Sequence, residues 1–574
     1  MGMMTPASLR WDSVDSGGWQ YLVGALPAAR ILCYDVGAGA VALLLAGLCH
    51  EVVVLQPNSD RRSEIRKQAE LLGLRNLRIH SPDELFGGDG SALGIFDGFV
   101  LHDPQALVLC RDNADALTVL LEAVQRTLQA GAFVYLGVRH RYGYDRFLKR
   151  RRAQHAGPVS NLWSGAVLER RVRSSGFRNI QTTPILLDRG RVSEIIPSQG
   201  YTSVKNRFLL TEHIKELVLG HLGSGYFAPF YALVAYRKEP GQSFLEQLIG
   251  YLRCQALNGV MCPEQLSLKR YFVLNGGKVI LSLGTTDQRQ RKIIVVLVHD
   301  GESARRRELE GVVLNTLAQL PAALSTRIPK LLHSMIFLGV HCFVLSELPG
   351  VTVDAPTPRL KRITRYAVQF LIELHKATPE QYHITSASYP ALIGDLFSVA
   401  REKYPALVSA LSSLEMRLRQ AVLGREITCV RFHGDYKIEN VMVNSATDEV
   451  TGVIDWELSR TPGLPLLDMI YLLVYNRMIH GSNWLNAFQE IALQARRDQQ
   501  EQAVWAEYLK SIPVAPDLVP ALYVLFVVHH IGCRLYIDLS QPGREHEMCD
   551  MIQSLETILQ KRDVDESAQP VISG

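Results

Sequence analysis

Several features that would assign a chain to a specialised class are missing from this sequence. Its 61 basic and 57 acidic residues leave a net charge of +4, too weak for the strongly basic domain typical of nucleic-acid-binding proteins. None of the nine cysteines lies in a CxxC pair, so no zinc site is indicated. No apolar run reaches the ~20 residues that a membrane-spanning helix requires, and no signal peptide is recognisable. We therefore expect a cytoplasmic protein with reduced thiols, no nucleic-acid partner and no integral membrane segment.

The composition that remains is that of a folded soluble protein. Hydrophobic residues make up 47% and charged residues 21% of the 574 residues, close to the averages for globular proteins. These values exclude a disordered chain, a coiled-coil rod and a collagen-like repeat. At roughly 100–200 residues per domain, the length predicts two to four domains.

The N-terminal half alternates between strand-like and helix-like segments. Short apolar strands are predicted in ARILCYDV, EVVVLQ, FDGFVLH and GAFVYLGV, with helical stretches between them. Such alternation predicts an α/β domain with a parallel sheet covered on both faces. The polar segment RKEPGQS at 237–243 contains proline and glycine, so we expect this domain to span 1–238.

The C-terminal half has a different pattern. Three strand-like runs, YFVL, KVILSLG and KIIVVLV, come first, and mostly helical segments follow residue 465. A small antiparallel sheet followed by a helical lobe predicts an α+β domain over residues 245–560. We expect residues 561–574 to form a flexible tail.

The most specific segment for function is VRFHGDYKIENVMVNSATDEVTGVIDWELSR, at residues 430–460. Asp435 lies five residues before Asn440, and Asp455 follows the strand-like GVI. Phosphoryl transfer from ATP requires these residue types, because one carboxylate must accept or orient the proton of the acceptor hydroxyl. An amide oxygen and a second carboxylate must hold Mg²⁺. Catalysis of this kind depends mainly on positioning and charge neutralisation, so the spacing matters more than any single pKa.

The motifs HGDYKIEN and IDWE resemble those of the aminoglycoside phosphotransferase and choline kinase family, which has a bilobal protein-kinase-like fold. The resemblance covers about residues 245–560. It implies that Asp435 is the catalytic base and that His433 orients the loop. It also implies that Asn440 and Asp455 bind Mg²⁺, with ATP as the phosphoryl donor.

Other segments extend this resemblance beyond the motif. CFVLSELPG resembles the hinge of the family, where backbone groups around Glu347 and Leu348 would meet adenine. Glu310 matches the helix glutamate that pairs with a strand lysine, and Asp468 matches an aspartate that braces the catalytic loop.

One position departs from the family pattern. Val298, in KIIVVLVHD, stands where the ATP-positioning lysine is expected, and valine cannot contact phosphate. Lys278 or Lys292 could supply the charge from another position. Alternatively Glu310 is unpaired and the nucleotide site is weakened, which keeps a pseudokinase interpretation open.

The N-terminal half carries a second motif. In ILCYDVGAGAVALLLA, a strand, a glycine loop and a helix follow one another, and glycine permits a sharp turn and close approach of a ligand. Asp35, Gly37 and Gly39 resemble motif I of class I S-adenosylmethionine-dependent methyltransferases, which have a Rossmann-like fold. NAD-binding folds share this pattern, whereas the later strands resemble the methyltransferases over residues 1–238.

This half also has departures at the implied cofactor site. Gln56 stands where an acidic residue would hold the ribose hydroxyls, and its amide would bind them less strongly than a carboxylate. Ser81 stands where an aspartate near adenine is common, although Asp83 is close in sequence.

Together the two resemblances imply a bifunctional transferase. The C-terminal domain would phosphorylate a hydroxyl of a small molecule, such as a sugar, an amino-alcohol or a natural product. The N-terminal domain would methylate the same or a pathway-related substrate with S-adenosylmethionine. Two alternatives remain: a kinase with a catalytically dead methyltransferase-like scaffold, and a non-catalytic ligand sensor built from both folds.

Overall fold

The computed structural model describes most of the chain in two compact units. The first unit contains the described residues up to 304 together with 331–347, and the second contains those of 305–330 and from 348 onward. The predicted tail at 561–574 lies outside the described residues. The described residues are 19–24, 26–35, 37, 39–87, 93–102, 116–139, 165–188, 191–195, 230–238, 242–257, 260–261, 266–274, 278–285, 292–299, 301–353, 356–492, 498–537, 549–553 and 555.

The first unit is built on one long mixed sheet with helices packed against it. Its strands are β1 (Arg30–Tyr34), β2 (Glu51–Leu55), β3 (Leu77–His80), β4 (Phe96–Leu101), β5 (Leu128–Arg139), β6 (Arg178–Asp188), β7 (Arg191–Ile195), β8 (Phe230–Tyr236), the short pair β9 (Ala256–Leu257) and β10 (Val260–Met261), β11 (Ser267–Val273), β12 (Val279–Gly284), β13 (Ile293–Val298), β14 (Leu331–Phe337) and β15 (Val340–Ser346). Its helices are α1 (Ala40–Leu48), α2 (Ser59–Leu71), α3 (Asp83–Phe86), α4 (Ala116–Thr127), α5 (Gly165–Ser174) and α6 (Phe244–Arg253).

Five parallel strands form the N-terminal end of this sheet, in the order β3-β2-β1-β4-β5. The buried runs of β1, β2 and β4 are apolar because both faces of the sheet are covered, as parallel sheets require. The direction of strand addition reverses between β1 and β4. This reversal creates a switch point at the carboxyl ends of these two strands, where open α/β sheets bind ligands. The predicted α/β architecture of the N-terminal half is therefore present.

The sheet does not stop at the end of the N-terminal half. After β5 the order continues through the antiparallel strands β8, β6 and β7, and then through β11, β12, β13, β15 and β14. The junction is the pairing of Phe272 in β11 with Glu194 in β7. Nothing in the hydrophobic pattern indicates this continuity, because pairing across two distant segments leaves no local signature in the sequence.

One apolar core contains residues from both parts of this sheet. It joins residues of β1 and β2, such as Cys33 and Val54, to residues of β11–β13, such as Tyr271, Leu281 and Val295, which are fully buried. Helix α6 packs in this core through Leu248 and begins with a reciprocal cap between Ser243 and Glu246. The aromatic rings of Trp19, Tyr21 and Phe244 belong to the same core, and Tyr21 stacks on His299 at a centroid distance of 5.2 Å.

The second unit is mainly helical, as the pattern after residue 465 predicts. It also contains two three-stranded sheets, β16-β19-β20 and β17-β18-β21. The elements are α7 (Gly301–Leu317), α8 (Ala322–Ser325), β16 (Val351–Thr352), α9 (Leu360–Ala377), β17 (Glu380–His383), α10 (Asp395–Lys403), α11 (Val408–Val422), β18 (Glu426–Phe432), β19 (Val441–Val443), β20 (Val450–Val453), β21 (Arg460–Gly463), α12 (Leu467–Ile479), α13 (Trp484–Ala492), α14 (Gln499–Ser511) and α15 (Val519–Ile537).

No single helix among the described residues is long and apolar enough to cross a membrane. One pair, 499–511 with 516–532, meets the length and composition criteria together but is bent by 116°.

Because one core is shared by both parts of the sheet, we predict that the N-terminal half is needed to stabilise strands β11–β13. A fragment that begins at Gln242 would expose the faces of Tyr271, Leu281 and Val295, which are now buried. We expect this fragment to lose cooperative thermal unfolding and to bind a dye specific for exposed apolar surface, because large apolar patches exposed to water destabilise a fold. A chain that lacks only residues 561–574 is the control and should unfold as the full chain does. Cooperative unfolding of the fragment without dye binding would contradict the prediction.

Candidate functional site

The segment that carries the phosphotransferase motif forms a tight loop after strand β18. Gly434 lies in this loop with φ +91, a conformation that side chains disfavour. A Cβ atom there would lie 2.5 Å from the carbonyl oxygen of Leu458. Only glycine therefore fits between His433 and Asp435, and this explains the glycine of the HGD motif.

Asp468, in the first turn of α12, holds this loop in place. Its carboxylate accepts hydrogen bonds from the backbone N–H of His433, at 2.8 Å, and from that of Gly434, at 3.0 Å. The side chain is fully buried, so the two N–H groups compensate a charge that would otherwise be costly to bury. This geometry is that of a brace, as the resemblance implied for Asp468.

His433 is fully buried and connects two loops. Its Nδ1 accepts from the backbone N–H of Asp435 at 3.3 Å, which leaves Nε2–H to donate to the carbonyl oxygen of Ile454 at 3.1 Å. Burial lowers the pKa of His433 despite the opposing effect of Asp468. A neutral ring in one tautomer therefore links the Asp435 loop to the residue before Asp455, which suits an orienting role.

Asp435, the predicted general base, lies between a lysine and an amide donor. Its Oδ2 lies 2.8 Å from Nζ of Lys437 and accepts a hydrogen bond of 3.1 Å from Nδ2 of Asn440. Burial raises the pKa of Asp435 to about 6, and the charge of Lys437 opposes this rise. A carboxylate with a pKa near 6 is ionised at neutral pH yet is a better proton acceptor than an ordinary aspartate.

Asn440 and Asp455 supply oxygen donors of the type that Mg²⁺ prefers. The amide nitrogen of Asn440 donates to the carbonyl oxygen of Asp435 at 2.9 Å and to its carboxylate, which leaves the amide oxygen on the other side of the group. The backbone carbonyl of Asn440 accepts from Ile454 N–H at 3.0 Å, so the two ligand-bearing loops are joined. Asp455 itself has φ +67, a strained conformation that is common at functional sites.

These two residues fit a metal that is completed by a nucleotide. Among the side chains of the described residues, no group of three or more histidine, cysteine, aspartate or glutamate residues is arranged to hold a metal ion. Mg²⁺ is usually bound by one or two carboxylates together with substrate phosphates and water. The donor set of Asn440 and Asp455 agrees with that pattern.

An arginine that the sequence interpretation missed occupies this acidic cluster. Arg307 lies on α7 and is almost fully buried, as is Glu310 three residues later. Its guanidinium forms an ion pair with Glu310, and it also lies 3.0 Å from Asp455 Oδ1 and 2.8 Å from Glu457 Oε2. Glu310 is therefore paired, although not with a strand residue, and the hypothesis of an unpaired glutamate is wrong. The i, i+3 spacing of Arg307 and Glu310 was the available signal.

Burial and charge oppose each other throughout this cluster. Burial alone would lower the pKa of Arg307, but Glu310, Glu457 and Asp455 together raise it above its usual range. Burial raises the pKa of Glu310 to about 7 despite the charge of Arg307. The Glu310 carboxylate also accepts from the backbone N–H of Trp456 at 3.0 Å, so helix α7 is tied directly to the Asp455 loop.

The position of the expected strand lysine is apolar in the structure. Val298, at the end of β13, is buried with Val296, Ala304 and Phe343. Lys292 precedes this strand, and its Nζ lies 3.7 Å from Glu347 Oε2. Lys278 precedes β12, where its carbonyl oxygen accepts from Leu274 N–H at 2.8 Å. A role of either lysine in holding phosphate stays a prediction.

The two predicted hinge residues, Glu347 and Leu348, each contact residues of their own unit. The carboxylate of Glu347 meets Lys292 and accepts from Ser282 Oγ at 3.4 Å, and its backbone N–H donates to the Lys292 carbonyl oxygen at 3.2 Å. Leu348 is buried and packs so closely on Gly452 that a Cβ there would lie 2.5 Å from Leu348 Cδ1. Their contact with adenine stays a prediction.

The glycine loop of the N-terminal half follows β1, at the switch point of the sheet. Asp35 is buried, and its carboxylate accepts from Gly37 N–H at 2.8 Å and from Ala42 N–H at 3.4 Å in the first turn of α1. Gly39 has φ +87, and a Cβ there would lie 2.4 Å from Ile65 Cγ1. The Asp35 carboxylate and Gly39 therefore support this turn, whether or not it binds a cofactor.

Three further predicted cofactor residues follow β2 and β3. Gln56 is fully buried; its Nε2 donates to the Gly37 carbonyl oxygen at 3.0 Å and its Oε1 accepts from Asn58 N–H at 3.1 Å. Ser81 donates to the exposed carboxylate of Asp83 at 2.9 Å, at the start of α3. The structure thus brings Gln56 to the glycine loop, where it closes the turn through a contact that a carboxylate could not make.

Comparisons with known proteins match the two halves to two classes. Residues 282–508 match the model of the phosphotransferase enzyme family, which confirms the resemblance of the C-terminal half. An aminoglycoside phosphotransferase from Streptomyces rimosus is 17% identical, with 49% of this chain and 98% of that chain covered and a TM-score of 0.33. That enzyme has also been solved in complex with ADP and streptomycin.

Structures similar to the N-terminal half are methyltransferases. A S-adenosylmethionine-dependent methyltransferase from Archaeoglobus fulgidus is 13% identical, with 36% of this chain and 86% of that chain covered and a TM-score of 0.25. Another from Thermotoga maritima is 16% identical, with 37% and 84% covered and a TM-score of 0.24. A comparison with curated protein sequences gives no match.

The brace on the catalytic loop generates the next prediction. Asp468→Asn replaces an acceptor oxygen with an NH₂ group that faces a backbone N–H, so one buried donor loses its partner. We expect a loss of about 2–4 kcal/mol in the free energy of unfolding, measured by urea denaturation. The control is Asp517→Asn, at a carboxylate that is 62% exposed, which should change stability by less than about 1 kcal/mol. Equal effects of the two substitutions would contradict the bracing role.

Proposed function

We propose that the C-terminal domain, with a bilobal protein-kinase-like fold, transfers the γ-phosphoryl group of ATP to a hydroxyl of a small molecule. The observation that carries this proposal is the hydrogen bonding of Asn440 to Asp435, together with the contacts of Asn440 and His433 with Ile454, the residue before Asp455. These residues lie inside the segment that matches the phosphotransferase family. By the same family resemblance, the acceptor class is a sugar, an amino-alcohol or a natural product.

Each residue has a distinct task in this reaction. Asp435 accepts or orients the proton of the attacking hydroxyl, and Lys437 keeps it ionised at neutral pH. Asn440 and Asp455 would hold Mg²⁺, which would neutralise charge on the phosphates of ATP, the phosphoryl donor. His433, Gly434 and Asp468 fix the distance between the base and the ligand-bearing loop, and a site that works by positioning depends on that distance.

The carboxylate of Asp435 provides the test of this proposal. Asp435→Asn keeps the shape of the side chain but removes the proton acceptor. We expect turnover of Mg²⁺-ATP against a panel of hydroxyl acceptors to fall by about 10²–10⁴-fold. Thermal unfolding should stay close to that of the wild type, because the substitution removes a buried charge rather than adding one.

The control and the pH profile sharpen this test. Asp517→Asn should leave turnover unchanged. Since the base must be ionised and the pKa of Asp435 is about 6, wild-type turnover should rise with pH through about 6 and be lost below it. Absence of turnover, together with absence of any Mg²⁺-ADP thermal shift, would refute the kinase proposal and leave the sensor alternative.

We further propose that the N-terminal domain, as a Rossmann-like fold, binds S-adenosylmethionine and methylates the same or a pathway-related substrate. The observation in favour is the buried Asp35 carboxylate, which holds a glycine turn at the switch point between β1 and β4. The observation that favours the scaffold alternative is Gln56, whose amide is engaged with Gly37 and Asn58 where a ribose ligand is expected.

Calorimetric titration with S-adenosylmethionine separates these alternatives. If the domain is a methyltransferase, the full chain should bind the cofactor with a dissociation constant below about 1 mM, and Gly39→Val should abolish binding. This substitution places a branched side chain against Ile65 at a positive φ. Asn58→Ala, which removes a side-chain cap of α2 without entering the glycine turn, is the matched control. No heat of binding by the wild type at millimolar ligand would support the scaffold instead.

A further inference from the structure

Val298, where a lysine is expected, is apolar, whereas Arg307 on α7 is a buried cation. Val298 is enclosed by Val296, Ala304 and Phe343 and brings no charge to a nucleotide. Arg307, in contrast, is 4% exposed and carries its charge into a cluster that contains Asp455, the predicted metal ligand. The cation that the strand lacks is therefore present on helix α7.

The contacts of Arg307 go beyond a pair with the helix glutamate. Its Nη1 meets Glu310, and its Nη2 lies 3.0 Å from Asp455 Oδ1 and 2.8 Å from Glu457 Oε2. Three carboxylates thus surround one guanidinium, whose planar fork of donors suits several acceptors at once. Without Arg307 the three carboxylates would repel each other in a site that is largely shielded from water.

We propose that Arg307 is the resident cation of the cluster formed by Glu310, Asp455 and Glu457, and that it supplies positive charge beside the predicted metal ligand Asp455. It holds Asp455 and Glu457 together before ligands arrive, and it neutralises part of their charge so that an anionic nucleotide is accepted. Arg307 is thus a positioning residue that acts through Asp455 and Glu310. This inference rests on the proposed function of the C-terminal domain.

The proposal predicts opposite effects on two ligands. Removal of one positive charge leaves the cluster more negative, which attracts a divalent cation and repels a nucleotide. In Arg307→Gln, the dissociation constant of Mn²⁺ alone should fall by at least about fivefold, and that of ADP alone should rise by at least about tenfold. A residue that merely supports the fold would not shift the two affinities in opposite directions.

The experiment is calorimetric titration of the full chain with Mn²⁺ alone, ADP alone, and ADP with Mg²⁺. The matched control is Arg305→Gln, which removes the same charge from an exposed position on the same helix and should change neither affinity. Arg307→Lys keeps the charge and should show smaller shifts than Arg307→Gln in both titrations.

A second variant guards against simple unfolding. The double variant Arg307→Gln with Glu310→Gln removes one positive and one negative charge, so the cluster keeps its net charge. It also removes the buried carboxylate of Glu310, which Arg307→Gln alone would leave without its ion-pair partner. This double variant should fold, with a Mn²⁺ affinity within about twofold of the wild type because the net charge is unchanged. Its affinity for ADP should be weakened, because no cation remains between Asp455 and Glu457 to hold them in place.

The outcomes separate this inference from the proposed function. Mn²⁺ and ADP affinities that are unchanged in Arg307→Gln, together with an unchanged ADP affinity in the double variant, would overturn the inference and leave Arg307 a structural residue. Tighter binding of ADP would also overturn it, because Arg307 would then block the site. If the wild type binds no ADP with or without Mg²⁺, the proposed function fails, and the Mn²⁺ titration alone decides whether Arg307 governs the charge of the cluster.

Discussion

The compensation of buried carboxylates is the constraint on which the second unit depends. An ionised carboxylate taken out of water destabilises a fold unless hydrogen bonds or an opposite charge replace its hydration. The buried Asp468 is compensated by two backbone N–H groups, the partly buried Asp435 by Lys437 in the same loop, and the partly exposed Asp455 by Arg307. The contacts of Asp468 and Asp455 join segments that are far apart in the chain, so these contacts both compensate charge and assemble the site.

The same constraint explains why the motif residues occupy their positions so tightly. His433 is neutral and bridges the Asp435 loop to Ile454. The side-chain amide of Asn440 is oriented by its hydrogen bond to the carboxylate of Asp435. Gly434 is required because any side chain would collide with Leu458. The proposed phosphoryl transfer would need little covalent chemistry from the protein but would need fixed geometry, and these contacts hold the residues in place.

The N-terminal half uses polar groups in a similar way but for its own turn. Asp35 and Gln56 direct their hydrogen bonds to the glycine loop, which sits at the switch point of the parallel sheet. Its larger contribution is apolar, because one core is shared by β1, β2 and β11–β13. The antiparallel strands β11–β13 are thus stabilised by contacts with the strands of the N-terminal half.

The sequence by itself indicated an α/β N-terminal half and a phosphotransferase-family C-terminal half. Alternating strands and helices indicate a parallel sheet, and the spacing of Asp435, Asn440 and Asp455 favours the proposed phosphoryl transfer, because these signals are local. Only the tertiary structure decided that Arg307 pairs with Glu310, Asp455 and Glu457, that Gln56 closes the glycine turn, and that β11 joins β7. These features depend on groups brought together from segments far apart in the chain, and their cause is burial, which a linear pattern does not record.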